Sequence, residues 1–162
     1  MNQESSFTPF LSDIVTSDDL ATRINEVTEL NRLLYLVDTK SFTQRIADKV
    51  SPGLFKIILT LDQQKQLPTA TSQLEDFFIA LRSFLSKLPR MTLTIAFEPT
   101  ESFIQSLADW FGKNLAGKTV LEILVKREII AGVVIEYNGK YKDYSCAGQV
   151  EEGLKQILST NI

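Results

Sequence analysis

The spacing of apolar residues changes at Pro89, and this change limits the folds open to the chain more than any other feature. Before Pro89, apolar residues recur every three or four positions, which is the period of an amphipathic helix. After it, they alternate with small or polar residues until Pro99, as in a half-buried strand. The alternating residues are Met91, Leu93, Ile95 and Phe97. We therefore predict an α+β protein, with a small all-α helical bundle over residues 1–88 and a second domain over residues 89–162.

Four helices are predicted before residue 68. The first begins at Thr8-Pro9, and its short apolar face fits either packing on the bundle or docking on a partner. A long helix follows the capping group at residues 17–19, and shorter helices begin at the N-cap residues Ser41 and Ser51. The residues expected on the inward faces are Phe7, Phe10, Leu11, Ile14, Leu20, Ile24, Val27, Leu30, Asn31, Leu33, Leu34, Val37, Phe42, Ile46, Val50, Leu54, Ile57, Ile58 and Leu61.

The clearest helical pattern in the chain runs from about residue 68 or 71 to residue 88. Its apolar stripe consists of Leu74, Phe77, Phe78, Leu81, Phe84, Leu85 and Leu88. Burying such a stripe contributes on the order of 10 to 20 kcal/mol before conformational entropy is subtracted. The stripe must therefore pack on something, and the earlier helices are the obvious partners.

The second domain is predicted to have the order β-α-β-β-β-α, a compact mixed sheet with two helices. Thr100 is placed to cap the first of these helices, and Gly117 to follow it as the C′ residue. A strand is expected over residues 120–125. The inward residues are expected to be Phe103, Leu107, Trp110, Phe111 and Leu115 on the first helix, and Val150, Leu154, Ile157 and Leu158 on the last.

A hairpin is predicted between residues 129 and 145. Residues 129–137 are rich in β-branched and aromatic side chains, and Asn138-Gly139 suits the two positive-φ positions of a type I′ turn. The return strand covers residues 140–144. Gly132 lies inside the first strand, where a missing Cβ indicates either a bulge or a close backbone approach. Ser145 is placed where the last helix must begin.

The overall charge and the residue types present exclude several functions. The net charge is −3 and the basic residues form no stripe, so we expect no nucleic-acid partner. The chain has no histidine and one cysteine, which removes the commonest general base and metal ligand. We therefore predict no catalytic activity, metal or cofactor. Residues 1–10 lack a targeting signal, and no stretch is long enough for direct membrane insertion.

Two features of the sequence mimic chemical sites. Residues 112–119, GKNLAGKT, match the pattern of a phosphate-binding loop. That loop needs a strand before it and a helix after it, whereas here a predicted helix precedes it and a strand follows. Cys146 is placed at the start of the last helix, but no histidine is present to activate it, so a passive thiol is expected.

The hairpin also carries a family signature. Residues 131–135 are AGVVI, a glycine turn follows, and residues 143–145 are DYS. In these features the chain resembles the delta subunit of bacterial F-type ATP synthases, whose mitochondrial counterpart is the oligomycin-sensitivity conferral protein. The positions that match the signature are Ala131, Gly132, Val134, Gly139, Asp143 and Ser145.

The likeness extends from Ser51 to the end of the chain, with three departures. The turn is Asn-Gly, where the family usually has Gly followed by Asp or Asn. The segment after Ser145 lacks the usual basic character. Residues 1–50 are too few for the first helices of the usual six-helix domain, so the resemblance implies a shortened helical domain.

The resemblance implies a stator subunit without catalysis of its own. In the family, the helical domain binds the alpha and beta subunits of the catalytic head, and the C-terminal domain binds the b-type stalk. It further implies a cytoplasmic protein, held at the cell membrane through the ATP synthase complex. The segment from Ser51 matches the helix that the family uses on the head. Candidates for the head-facing groove are Leu54, Ile57, Ile58 and Leu61, although these residues also fit the bundle core.

Two other functions fit the same sequence. The first is a free-standing adaptor or regulatory module of the same α+β fold. The second is a small enzyme that uses Cys146 or the GKNLAGKT segment.

Overall fold

The structure is a computed structural model that describes residues 6–36, 41–115, 117–146 and 150. The chain forms two compact units, Met1–Leu88 and Pro89–Ile162, which we call the helical unit and the sheet unit. The predicted α+β class is confirmed. Each unit is described separately below.

The helical unit contains a short 3-10 helix, Thr8–Leu11, and four α-helices. The α-helices are α1 (Ser17–Leu33), α2 (Phe42–Ile46), α3 (Pro52–Gln63) and α4 (Thr71–Ser86). The first predicted helix is thus a single 3-10 turn that ends before Ile14. Phe7, just before the turn, and Phe10, within it, are buried and nevertheless pack on the bundle. The ring of Phe7 lies 5.3 Å from that of Phe77, and the ring of Phe10 lies 6.2 Å from it.

Side chains cap most of these helices. The predicted caps of α2 and α3 are confirmed, since Ser41 and Ser51 accept hydrogen bonds from Gln44 N and Leu54 N. The cap of α1 was predicted one residue late: Thr16 is the N-cap and forms a capping box with Asp19. Two carbonyl groups at and just after the end of α1 accept hydrogen bonds from another helix, because Arg45 Nη1 donates to Leu33 O at 2.8 Å and to Leu36 O at 2.7 Å.

The core of the helical unit lies between α1, α3 and α4, as the apolar periodicity predicts. The inward face of α1 differs from the predicted stripe, because Ile24 and Asn31 are only half-buried while Arg23 is buried. On α4, Phe84 is half-buried, as is Leu88 beyond its end. The largest fully buried side chains of this unit are Phe10, Phe78, Ile14, Leu20, Leu30, Leu33, Ile46, Leu54, Ile58, Leu81 and Leu85. Val37 lies outside the described residues.

The sheet unit contains a four-stranded mixed sheet with the order β2-β1-β3-β4. The strands are β1 (Arg90–Ile95), β2 (Val120–Val125), β3 (Val133–Tyr137) and β4 (Lys140–Asp143). Helix α5, Glu101–Asn114, connects the parallel pair β1 and β2, and β3 runs antiparallel to both of its neighbours. The described part therefore follows the predicted order β-α-β-β-β. Val150, the one described residue of the predicted last helix, is 42% exposed rather than inward, whereas Leu154, Ile157 and Leu158 lie outside the described residues.

Three predictions for the sheet unit were wrong. β3 begins at Val133 rather than at residue 129, because a 3-10 turn, Arg127–Ile129, and positive φ angles at Ile130 and Gly132 interrupt the extended backbone. β1 ends at Ile95, so Phe97 is exposed. Gly117 lies two residues beyond the C-cap of α5, which is Leu115, rather than one.

The inward face of α5 was also predicted incorrectly. Phe111 is its buried residue, while Leu107 and Leu115 are half-buried and the rings of Phe103 and Trp110 are exposed. The helical period predicted an apolar stripe with the correct spacing. That stripe is wider than the face of α5 that is buried. The predicted N-cap is confirmed, since Thr100 Oγ1 accepts a hydrogen bond from Phe103 N.

Candidate functional site

The four residues predicted to bind the catalytic head do not share one environment. Leu54 and Ile58 are fully buried in the helical unit, and Leu61 is almost fully buried. Ile57 is half-buried and points away from that core into a surface groove. The solvent-accessible candidate among the four is therefore Ile57, with the edge of Leu61 beside it.

The groove lies between α3 and the segment around Pro9 and has a volume of about 650 Å³. Its apolar residues are Pro9, Ile57 and Leu61, and its charged residues are Asp13 and Lys56. The remaining lining residues are Ser12, Gly53, Thr60, Gln64 and Gln66. Grooves that receive an amphipathic helix likewise combine apolar side chains with charged and polar ones.

A buried ionic network supports the wall of this groove. Arg23 is only 5% exposed, and its guanidinium lies 3.5 Å from Asp13 and 3.4 Å from Glu26. Glu26 also accepts a hydrogen bond from the backbone N–H of Ser51, the N-cap of α3. The network therefore joins α1, the groove wall and the start of α3, and it holds Asp13 at the groove.

Gly53 allows the groove wall to lie close against α3. A Cβ built on Gly53 would lie 2.5 Å from Asp13 Oδ2, which is shorter than any ordinary contact. Sequence reasoning missed this contact and the ionic network. One signal was present, because Arg23 lies three residues after Leu20 and four before Val27, inside the apolar stripe of α1.

The signature residues of the hairpin have backbone roles. Gly132 has φ +95°, and a Cβ there would lie 2.2 Å from the carbonyl oxygen of Tyr144 and 2.9 Å from Ser145 Cα. The close backbone approach predicted at Gly132 is therefore present. Asn138 and Gly139 have φ angles of 51° and 70°, as a type I′ turn requires.

The other signature residues close the open end of the hairpin. Asp143 Oδ1 accepts a hydrogen bond from Ser145 N at 2.7 Å, and the carbonyl of Ala131 accepts one from Cys146 N at 2.8 Å. Val134 is buried and lies opposite Asp143 in the register of β3 and β4. The residues that would form the helix predicted to follow Ser145 are mostly outside the described part of the chain.

Hydrogen bonds from the side chain and backbone of Ser145 hold the pKa of Asp143 below its ordinary value of 3.8. A lowered folded-state pKa stabilises the hairpin above the pKa of the unfolded chain, and this stabilisation is lost as pH falls through the folded-state value. We expect the difference in unfolding free energy between the native chain and Asp143→Asn to shrink as pH is lowered from 6 to about 3. Urea unfolding at several pH values measures this.

An NMR titration of the Asp143 carboxyl tests the cause directly. Ser145→Ala removes the side-chain hydrogen bond and keeps the backbone one, so the pKa of Asp143 should rise part of the way towards its ordinary value. A native Asp143 that titrates at or above 3.8 would contradict this explanation.

The GKNLAGKT segment does not have the geometry of a phosphate-binding loop. Helix α5 runs into the segment and ends at Asn114, and β2 begins after it at Val120. The segment follows the C-terminal end of the helix, where the dipole disfavours an anion.

Cys146 is half-buried. Within the described residues, no group of acidic or cysteine side chains is arranged to hold a metal ion, and no helix is long and apolar enough to cross a membrane.

The fold, the groove and the hairpin together define a class of protein that has one helical unit and one mixed-sheet unit. The distinctive residues of this class form surfaces and turns. The family model described as "ATP synthase delta (OSCP) subunit" matches residues 13–157. The chain belongs to this family, as the hairpin signature indicated.

Two similar proteins carry the name ATP synthase subunit delta. ATP synthase subunit delta of Pseudothermotoga lettingae is 29% identical over 115 residues, which cover 71% of this chain and 61% of that protein. ATP synthase subunit delta of Proteus mirabilis is 26% identical over 113 residues, which cover 70% of this chain and 61% of that protein. The chain thus spans about 61% of the length of these relatives.

Solved ATP synthase structures contain similar chains. One is in the F-ATP synthase of Polytomella, with a TM-score of 0.33 and 22% identity, covering 46% of this chain and 95% of that chain. Another is in the mitochondrial ATP synthase hexamer of Toxoplasma gondii, with a TM-score of 0.35 and 14% identity, covering 98% of both chains.

Proposed function

We propose that this chain is a non-catalytic peripheral-stalk subunit, or stator, of an F-type ATP synthase. It links the catalytic head to the b-type stalk, so that the head resists rotary torque during proton-coupled ATP synthesis. The observation that carries the proposal is the family match over residues 13–157, which includes most of both units. A stator needs two attachment surfaces and no catalytic group.

The helical unit is the part proposed to bind the head, through the alpha and beta subunits. Its groove offers about 650 Å³ along α3, which suits an amphipathic helix rather than a flat surface. Ile57 and Leu61 supply apolar contacts, and Asp13 and Lys56 supply charges of opposite sign. The buried side chains Leu54 and Ile58 support the groove from behind instead of touching the partner.

The sheet unit is the part proposed to bind the b-type stalk. The protein would then be located on the cytoplasmic side, held at the membrane through the assembled complex. With the head bound by the helical unit and the stalk bound by the sheet unit, the chain would link two partners, one on each unit.

Purification of the tagged full chain from native membranes tests the proposed function. We expect alpha, beta and b subunits to be recovered together in the eluate. Recovery of none of them, from membranes in which an intact ATP synthase is present, would contradict the stator assignment and favour a free-standing adaptor.

Ile57→Glu tests the groove. A carboxylate in place of this apolar groove residue should weaken binding of the purified alpha subunit by at least about tenfold, measured by titration calorimetry. Ile79→Glu is the matched control, because Ile79 is an exposed isoleucine on α4, outside the groove. Circular dichroism should show both variants folded. Equal binding by the two variants would exclude this groove as the head-binding surface.

A further inference from the structure

The sheet has two outer strands, β2 and β4, and each of them has one free edge. Among residues 6–36, 41–115, 117–146 and 150, no further strand pairs with either edge. A free edge presents unpaired backbone N–H and C=O groups, to which a strand of another chain can bind. The side chains along an edge decide whether such pairing is favourable.

The hydrogen bonds between β1 and β2 show which backbone groups of β2 point outward. Val120 N donates to Pro89 O at 2.9 Å, and Lys126 N donates to Ile95 O at 2.8 Å. Successive residues of an extended strand direct their backbone groups to opposite edges, so the even-numbered residues of β2 face β1. The residues whose N–H and C=O groups point away from the sheet are therefore Leu121, Ile123 and Val125.

The side chains of β2 are almost all apolar. The strand has the sequence VLEILV, in which Glu122 is the one charged residue. Ile123 and Val125 are only half-buried, and Leu124 is 40% exposed. A six-residue outer strand of this composition is the kind of edge that binds another strand.

The β2 edge is complementary to itself. In an antiparallel pair related by a two-fold axis at Ile123, this residue lies opposite Ile123 of the second copy. Leu121 then lies opposite Val125 of the second copy, and Val125 opposite its Leu121. These three apolar pairs are formed by the residues whose backbone groups point outward, so they can exchange about six hydrogen bonds.

The same register brings no like charges directly opposite each other. Glu122 lies opposite Leu124 of the second copy. Its two diagonal neighbours are Lys126 and Glu122 of the second copy, so attraction and repulsion offset each other. The charges of this edge therefore permit pairing between two copies.

The β4 edge differs, although β4 is exposed along its whole length. Its outward backbone groups are those of Tyr141 and Asp143, because Tyr144 N donates to Val133 O at 2.9 Å and the direction alternates along the strand. Two β4 strands centred on Tyr141 would place Lys140 opposite Lys142.

The other antiparallel registers of β4 also bring like charges together. Centring the pair on Lys142 would place two copies of this lysine opposite each other, and centring it on Asp143 would do the same with two aspartates. Like charges directly opposite each other destabilise a strand pair, and charged side chains are a common means of blocking an edge. The β4 edge is therefore protected against self-pairing and the β2 edge is not.

We infer that the outer edge of β2 is a self-association surface, at which two copies of the free chain pair antiparallel and form one continuous sheet. The inference does not rest on the proposed function. Because the two-fold axis closes the contact, association stops at a dimer. Two six-residue strands form a small interface, so the dimer is reversible, with a dissociation constant of roughly 1–100 μM.

Sedimentation equilibrium of the purified full chain, from about 1 to 500 μM, measures this constant. Ile123→Pro should raise it at least about tenfold, because the variant removes the outward N–H at the centre of the pair and leaves the bonds between β1 and β2 intact. Tyr141→Pro is the matched control, since it removes an outward N–H from the β4 edge and should dimerise as the native chain does.

Two lysine variants of adjacent residues test the register. Ile123→Lys brings two lysines together on the two-fold axis and should raise the dissociation constant at least about tenfold. Leu124→Lys adds the same charge one residue further on, where it lies opposite Glu122 of the second copy, and should lower the constant. Circular dichroism should show both variants folded, so this pair tests the inference even if Ile123→Pro unfolds.

Amide hydrogen exchange followed by NMR detects the backbone pairing directly. Two groups of amides are compared at about 5 and 500 μM, where the chain is mainly monomeric and mainly dimeric. The outward amides of β2 should exchange several-fold more slowly at the higher concentration. The outward amides of β4, those of Tyr141 and Asp143, should exchange at the same rate at both concentrations.

Three results would overturn the inference. The first is a native chain that remains monomeric up to about 500 μM, whether the edge then stays open or binds an extended segment of another protein. The second is open-ended association beyond a dimer, which a two-fold contact cannot produce. The third is a dimer that Ile123→Lys and Leu124→Lys affect equally.

Discussion

Gly132→Ala is expected to destabilise the sheet unit by about 3 kcal/mol or more. Two costs add at this position. The backbone φ of +95° is one that residues with a Cβ rarely adopt. In addition, the added methyl group would lie 2.2 Å from the carbonyl oxygen of Tyr144. Because that oxygen belongs to the backbone, the end of the hairpin must move to relieve the contact. Urea unfolding followed by the fluorescence of Trp110, the single tryptophan, measures the change.

Two other glycines separate these costs. Gly139 has φ +70° and open space around it, so Gly139→Ala carries the conformational cost alone, about 1–2 kcal/mol. Gly112 lies within α5 with nothing near its missing Cβ, so Gly112→Ala should be neutral or stabilising by up to about 1 kcal/mol. If Gly132→Ala were as stable as Gly139→Ala, the close backbone approach would not matter energetically.

Glu26→Ala is expected to destabilise the helical unit by about 3 kcal/mol. The substitution removes the nearest carboxylate from the buried Arg23 and the acceptor from the N–H of Ser51. Among the described residues, the carboxylate left beside Arg23 would be that of Asp13, whose side chain is 55% exposed and lies 3.5 Å away. An incompletely paired buried cation is costly, so the loss should exceed that of an ordinary salt bridge. Chemical unfolding followed by the helical signal at 222 nm measures it.

Glu29→Ala is the matched control on the same helix. Glu29 also pairs with an arginine, since Arg32 Nη2 lies 2.6 Å from Glu29 Oε1, but that pair is on the surface. Its loss should change the unfolding midpoint little. The double variant Arg23→Met/Glu26→Leu should recover much of the stability, because it removes the cation together with its partner. Equal effects of Glu26→Ala and Glu29→Ala would refute the role given to the buried network.

The proposed head-binding groove does not use the residues of the family signature. The signature residues shape the end of the hairpin, where Gly132, Asp143 and Ser145 make backbone contacts. The groove of the helical unit is built from other residues. The motif that makes the family recognisable therefore shapes the hairpin of the sheet unit, whereas the groove proposed to bind the head belongs to the helical unit.

Several features of this fold were set by signals local in sequence. Ser41, Ser51 and Thr100 cap helices because a hydroxyl needs to reach only an amide two or three residues ahead. The alternation that defines β1 and the Asn138-Gly139 turn are equally local. These elements, the α+β class and the family could therefore be predicted from the sequence.

The tertiary structure decided which faces are covered. Helical spacing placed Trp110 inward on α5, but burial depends on the width of the neighbouring surface, and Trp110 is exposed. The sequence also could not show that Asp13, Arg23 and Glu26 meet, or that strand pairing brings Glu122 and Glu136 onto one face. These contacts join residues distant in the chain, and only the packing of helices and the register of strands brings them together.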